Sequence, residues 1–193
     1  MRNHEAFGNE FKALSEIMNQ QEIEHRDRVL RNYFAGCDWD HNGEYELKRT
    51  LVLNSDRLLP DYPYVVENEW EVEPGRGHKG RGDLVFTDGA GRFAVVEVKC
   101  LNRTGGNKKA QQEKVRVRRH QVIKQALRYA NIYAASKLAA GVIDDPNAIA
   151  AYVFTNEQDY PYFLFRESES LQITNVSTQS PSVHREPVVA LHC

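Results

Sequence analysis

Residues 80–99, with the sequence GRGDLVFTDGAGRFAVVEVK, contain two short apolar runs separated by a turn sequence. The runs are residues 84–86 (LVF) and 93–96 (FAVV), and residues 88–91 (DGAG) between them are typical of a tight connection between strands. β-Branched and aromatic residues on both sides of an Asp-Gly turn predict a β-hairpin. Only folds that contain two antiparallel strands at this point of the chain are consistent with the hairpin.

Charged residues stand at the open end of this predicted hairpin. Asp83 precedes the first apolar run, and Glu97 and Lys99 follow the second. The start of one antiparallel strand lies beside the end of its partner, and alternate residues of a strand share a face. We therefore expect Asp83 and Glu97 to be neighbours, with Lys99 on the same face as Glu97.

Helical and strand patterns alternate along the rest of the chain. Apolar spacing predicts helices over 5–35 and 44–59, a strand over 64–72, a helix over 108–137 with a possible break near 117–120, and strands over 148–155 and 160–166. We divide the chain into an N-terminal helical extension (1–36), a core domain (37–166) and a polar C-terminal tail (167–193). The order of elements predicts an α/β fold with a mixed central β-sheet flanked by α-helices.

Composition narrows the class of protein. The chain has 193 residues, of which 41% are hydrophobic, and it lacks the uninterrupted apolar run of about 18 residues that a membrane span requires. Its three cysteines are far apart and form no metal-binding or disulfide pattern. We expect an intracellular protein, cytoplasmic or nuclear, that does not enter a membrane.

Positive charge is concentrated in one stretch although the net charge is only −2. Residues 99–128 contain ten Lys or Arg and one acidic residue, Glu113, a local balance of +9. The preceding glycine-rich loop, residues 74–82, is also basic. The stretch is either a solvated helix face or a surface for a polyanion, and the loop is either a flexible turn or a segment that approaches phosphates.

The predicted helix over 108–137 also has a polar stripe. Gln121, Gln125 and Tyr129 follow at intervals of four residues and therefore lie on one face. This stripe is either an exposed face or part of a site.

Two sequence elements together resemble the motif of the PD-(D/E)XK nuclease superfamily: Gly82-Asp83 before an apolar strand, and Glu97-Val98-Lys99 after the next one. Glu97 follows Asp83 by fourteen positions, and Gly82 stands where the family name has proline. Gln125 and Tyr129 resemble the Gln-x-x-x-Tyr motif of RecB-like members. Glu44 resembles the acid at the start of the first core helix in Holliday-junction resolvases, with Glu46 as the alternate. The resemblance covers about residues 44–155.

The resemblance implies a restriction-endonuclease-like core (αβββαβ) and a catalytic Mg²⁺, for which Mn²⁺ would substitute. Mg²⁺ prefers oxygen ligands, and Asp83, Glu97 and the Val98 carbonyl would bind it directly, while Glu44 would bind it through water or complete a second metal site. Lys99 would hold or deprotonate the attacking water. Gln125 and Tyr129 would orient Lys99, the water or a phosphate. The alternative for Asp83, Glu97 and Lys99 is a salt-bridged cluster at a strand end.

The expected activity is structure-directed hydrolysis of phosphodiester bonds in DNA, with a homodimer possible. The alternative is a catalytically inactive nucleic-acid-binding or assembly subunit on the same fold. The basic residues expected to contact nucleic acid are Arg76, Lys79, Arg81, Arg103, Lys108, Lys109, Arg116, Arg118, Arg119 and Lys124.

Overall fold

A computed structural model of the protein describes residues 18–36, 43–72, 80–101 and 108–164. These residues form four α-helices, one 3₁₀ turn and five strands. In chain order they are α1 (Gln20–Gly36), α2 (Gly43–Leu53), α3 (Ser55–Leu58), β1 (Tyr64–Glu71), β2 (Arg81–Thr87), β3 (Phe93–Lys99), α4 (Lys108–Ala139), the 3₁₀ turn Pro146–Ala148, β4 (Ile149–Thr155) and β5 (Tyr162–Leu164).

The five strands form one mixed sheet in the order β1-β2-β3-β4-β5. The pairs β1–β2, β2–β3 and β4–β5 are antiparallel, whereas β3 and β4 are parallel. A parallel pair needs a long crossover, and α4 provides it. The predicted α/β class with a mixed sheet flanked by helices is confirmed, while the restriction-endonuclease-like identity of the core stays a prediction.

The predicted hairpin is β2 and β3, and Asp88 organises its turn. The Asp88 carboxylate accepts hydrogen bonds from the Ala90 N–H (2.7 Å) and the Arg92 N–H (3.0 Å), and it pairs with Arg92 Nε at 2.7 Å. Gly89 and Gly91 have φ values of 80° and 97°, which residues with a Cβ rarely adopt. The turn sequence thus fixes the register that runs from Thr87↔Phe93 to Leu84↔Val96.

Helices pack against both faces of the central strands, which leaves the strand ends as the accessible part of these strands. One face packs against α4 through a cluster that includes Val85, Val95, Ala151, Val153, Ala126, Ala130 and Tyr133. The other packs against α1 and α2 through a cluster that includes Leu84, Phe86, Val96, Phe154, Phe34, Leu51 and Val52. Period 2 in β2 and β3 sends alternate residues to the two clusters.

Helix α1 is attached to this core by polar contacts as well as by Phe34. The Arg31 guanidinium donates to the carbonyls of Val52 (2.7 Å) and Pro63 (2.8 Å), and Asp27 accepts from the Val65 N–H (2.9 Å). These bonds join α1 to the end of α2 and to the start of β1.

Several predicted elements differ from the structure in their bounds or continuity. The helix expected over 44–59 is interrupted at Asn54, whose side-chain amide donates to the Thr50 carbonyl (2.8 Å) and so competes with the helical backbone. The break expected near residues 117–120 is wrong, because α4 is continuous through a stretch without Gly or Pro. Strand β5 begins at Tyr162 and not at residue 160, and residues 165–166 of the expected strand lie outside the described residues. The helix expected over 5–35 begins at Gln20 within the described residues, where the Asn19 side chain accepts a hydrogen bond from the Glu22 N–H (2.9 Å). Its part before residue 18 and the tail over 167–193 lie outside the described residues.

Gly82 provides a test of the packing beside the site. A Cβ at this position would collide with the Trp70 indole, since Trp70 and Gly82 are partners in the β1–β2 register. We expect Gly82→Ala to lower the free energy of unfolding by about 1–3 kcal/mol, measured by urea denaturation. Gly36→Ala is the matched control, because a Cβ there meets no atom within 4 Å. Equal stabilities for the two variants would contradict this packing.

Candidate active site

Asp83 and Glu97, the carboxylate pair, lie side by side at the open end of the hairpin. The Asp83 N–H donates to Glu97 Oε1 at 3.3 Å, and the Val98 N–H donates to Asp83 Oδ2 at 2.8 Å. Glu97 is 2% exposed, because its strand is central in the sheet. The proximity expected from the hairpin is therefore observed.

The environment of Glu97 disfavours its negative charge. Burial, followed by the neighbouring Asp83 carboxylate, raises the pKa of Glu97 to about 9, against the opposing effects of the Asp83 N–H and the Lys48 ammonium. At neutral pH the carboxylate pair therefore retains a proton or requires a nearby cation.

Lys48 of α2 supplies a positive charge that the sequence interpretation missed. Its Nζ lies 2.7 Å from Asp83 Oδ1 and 3.7 Å from Glu69 Oε1, and its side chain is 10% exposed. Burial alone would lower the pKa of Lys48, but the charges of Asp83, Glu69 and Glu44 outweigh burial and raise it. One signal could have found it: Lys48 follows Glu44 by four residues and so shares its helix face.

Glu69 contributes a further carboxylate from an unusual backbone conformation. Its φ is 52°, and it lies between the paired residues Asn68 and Trp70, opposite Asp83. A left-handed conformation costs a non-glycine residue roughly 1–2 kcal/mol. Glu69 contacts both Lys48 and Arg81, the latter at 3.6 Å, so the strained residue faces the site.

Lys99 and Glu44 form the second ion pair of the site. Lys99 Nζ lies 2.7 Å from Glu44 Oε2, and the Lys99 side chain is 48% exposed. This pair joins the end of β3 to the first turn of α2. Glu46, the alternate acid, is exposed, so Glu44 is the residue of the two that the structure brings to Lys99.

Tyr129 lies close to the carboxylate pair from the α4 side. Burial, followed by the charge of Glu97, raises the pKa of Tyr129, and its hydroxyl shares a hydrogen bond with Gln125. The hydroxyl also lies against Gly80, whose φ of 115° and missing Cβ allow the approach. Of the predicted stripe, Tyr129 is buried, whereas Gln121 and Gln125 are exposed.

The donor set fits a hard divalent cation at the carboxylate pair. Two carboxylates are adjacent, one of them is buried, and carboxylate oxygens are the ligands that such an ion prefers. Within the described ranges, no cluster of three or more His, Cys, Asp or Glu side chains is suitably arranged for a metal ion. Backbone Val98 contributes its N–H to Asp83, and its carbonyl as a ligand stays a prediction.

The predicted basic surface lies largely on the outer side of α4, by which we mean the exposed residues of its first half, 108–124. All the predicted contacts on this helix are exposed: Lys108, Lys109, Arg116, Arg118, Arg119 and Lys124. Two of them form ion pairs, Arg116 with Glu113 and Arg119 with Glu157. Arg81 is exposed at the start of β2, and the predicted contacts Arg76, Lys79 and Arg103 lie outside the described residues.

Comparisons of the chain with protein-family models, with curated proteins and with solved structures gave no match. Among the helices that the structure describes, none has the length and apolar character needed to cross a membrane.

Glu97→Gln tests the electrostatics of the carboxylate pair. Because the pKa of Glu97 in the folded protein is raised to about 9, the unfolded chain loses this proton first, and wild-type stability falls as pH rises. In EDTA, we expect the free energy of unfolding of Glu97→Gln to rise relative to that of wild type by on the order of 3 kcal/mol as the pH goes from about 5 to about 8. Urea unfolding across this range measures it.

Glu113→Gln is the control, since that carboxylate is exposed in a surface ion pair. Parallel stability profiles for wild type and Glu97→Gln would show that Glu97 ionises normally.

Proposed function

We propose that the protein is a metal-dependent nuclease that hydrolyses phosphodiester bonds in DNA and selects its substrate by structure. The observation that supports this most is the carboxylate pair: Asp83 contacts the buried Glu97, whose negative charge is disfavoured unless a cation is nearby, and Lys99 is two residues away. A salt-bridged structural cluster would not need a carboxylate as desolvated as Glu97.

In this proposal Asp83 and Glu97 hold the ion, which supplies charge neutralisation and a more acidic water. Lys99 extends from the end of β3 and is half exposed, so its ammonium can donate a hydrogen bond to the attacking water and offset developing negative charge. Glu44 orients Lys99 through their 2.7 Å ion pair. Tyr129 stays protonated, because its pKa is raised, and its hydroxyl can donate a hydrogen bond beside Glu97.

The basic outer side of α4 supports a polyanionic substrate. Helix α4 follows β3 after the short segment 100–107, so its first turns are close in sequence to Lys99. Exposed Lys and Arg side chains on one helix bind phosphates without reading bases. This agrees with cleavage directed by structure, and it predicts binding that weakens steeply with salt.

Single substitutions test the activity. We expect purified protein with Mg²⁺ or Mn²⁺ to cleave plasmid or single-stranded circular DNA, and Asp83→Asn or Lys99→Met to reduce the rate at least about 100-fold. Lys137→Met is the matched control: this lysine also pairs with a glutamate, Glu67, at 3.8 Å, but on the far part of α4. A wild type inert on DNA and RNA with both metals would refute the proposal.

One observation favours the alternative, a nucleic-acid-binding subunit without activity. The Lys48 ammonium occupies a position beside Asp83 that a metal ion would otherwise approach. A protein that has lost its ion could keep such a lysine as a permanent replacement. Metal binding measured apart from turnover distinguishes the two functions.

Lys48→Met provides that measurement. Without the lysine the carboxylate pair lacks its cation, so we expect stability in EDTA to fall by about 3 kcal/mol. If the site binds metal, Mn²⁺ should raise the melting temperature of Lys48→Met more than that of wild type, because the ion restores the lost charge. Lys137→Met should respond as wild type does. Equal Mn²⁺ responses of Lys48→Met and wild type would refute a shared cation position, and no response in either would favour the binding subunit.

A further inference from the structure

A cavity of about 340 Å³ opens between α4 and the ends of β4 and β5. We define it as the tyrosine cavity. Its apolar lining comes from Ile123, Val153 and Tyr162, and Thr155 and Gln158 add polar groups. No role discussed so far uses these residues.

The tyrosine cavity lies beside the candidate active site. In the parallel β3–β4 pair, Lys99 is the register partner of Thr155, which lines the cavity. Adjacent strands are about 4.8 Å apart, and paired residues point to the same face of a sheet. The backbone of Lys99 therefore lies one strand away from the lining of the tyrosine cavity.

The chemistry of the lining suits a flat, partly polar group. Tyr162 is 54% exposed although it belongs to a strand, so one aromatic surface is open to a ligand. Ile123 and Val153 form an apolar floor, and the Gln158 amide can both donate and accept hydrogen bonds. Stacking on an exposed aromatic ring, with few hydrogen bonds, is how proteins hold unpaired bases.

Charge favours nucleic acid over an apolar peptide as the ligand. The cavity adjoins helix α4, where the exposed Arg116 lies two turns before Ile123 on the same face and the exposed Lys124 follows Ile123 directly. Arg119 on its rim is paired with Glu157, and Arg116 is paired with Glu113. Both arginine side chains are exposed, so a phosphate can compete for their guanidinium groups. A cavity of this size holds one nucleoside-sized group and excludes a duplex, whose bases are stacked inside.

We propose that the tyrosine cavity binds an unpaired nucleobase next to the phosphate at Lys99, so that the substrate is single-stranded at the site. This inference rests on the proposed function, because that function places the scissile phosphate at Lys99. The base stacks on Tyr162, and the phosphates on either side meet the basic residues of α4 and Lys99.

Binding measured in EDTA separates this proposal from cleavage. Fluorescence anisotropy would compare a labelled single-stranded DNA oligonucleotide with the same length of duplex, of abasic-spacer strand and of RNA. We expect Tyr162→Ala to weaken single-stranded binding about 5- to 20-fold and to leave duplex and abasic binding unchanged. The RNA arm reports whether the cavity accepts both nucleic acids.

Tyr160→Ala is the matched control. Tyr160 is 57% exposed and only two residues away, but it does not line the tyrosine cavity, so its removal should leave every affinity unchanged. Both variants should keep the wild-type melting temperature, because both side chains are largely exposed.

Three results would overturn the proposal: equal effects of the two substitutions, an equal loss of duplex binding in Tyr162→Ala, or no measurable binding of single strands by wild type. The outcome is independent of catalysis. A protein that binds single strands through Tyr162 and never cleaves them would retain this inference and refute the nuclease. A protein that cleaves DNA but binds single strands equally well with and without Tyr162 would support the nuclease and refute this inference.

Discussion

The arrangement of the described residues depends on two carboxylates held together where water is scarce. Asp83 and Glu97 come from adjacent strands and contact each other through the Asp83 N–H, and Glu97 is almost completely buried. Such a pair is unfavourable unless positive charge and hydrogen-bond donors surround it. The neighbouring groups have this character: the Val98 N–H, the Lys48 ammonium and the Tyr129 hydroxyl all lie near the pair.

Helix α2 neutralises these charges by forming one ion pair with each strand of the hairpin. It gives a lysine, Lys48, to the aspartate of β2, and a glutamate, Glu44, to the lysine of β3. Because Glu44 and Lys48 are one helical turn apart, the two ion pairs together define how far α2 extends along the strand ends. Reversing either charge would place like charges in contact. The buried Leu51 and Val52 then attach the same helix to the sheet.

The local part of this site could be predicted from the sequence, and the rest could not. Asp83, Glu97 and Lys99 belong to one hairpin, whose register follows from its turn residues and from alternation. The contact of Lys99 with Glu44 instead depends on the packing angle of α2, which apolar spacing does not specify. The left-handed conformation of Glu69 has no sequence signal, since nothing distinguishes this glutamate from its neighbours in β1. The sequence predicts helix α4 but also a possible break within it near 117–120, because the exposed basic stretch there lacks an apolar face.

The exposure of that basic stretch follows from the relative lengths of α4 and the strands. Helix α4 has 32 residues and is about 48 Å long, whereas β3 and β4 have seven residues each and span about 23 Å. A helix that crosses from the end of β3 to the start of β4 must therefore extend beyond the sheet. Of residues 108–121, all of which the structure describes, Val115 alone is buried, and Tyr129 then reaches the carboxylate pair. The extension therefore starts from the strand end that holds Lys99. Fourteen residues that bury so little gain little stability from packing, and their repeated positive charges repel one another. An anion bound along the helix would relieve this repulsion.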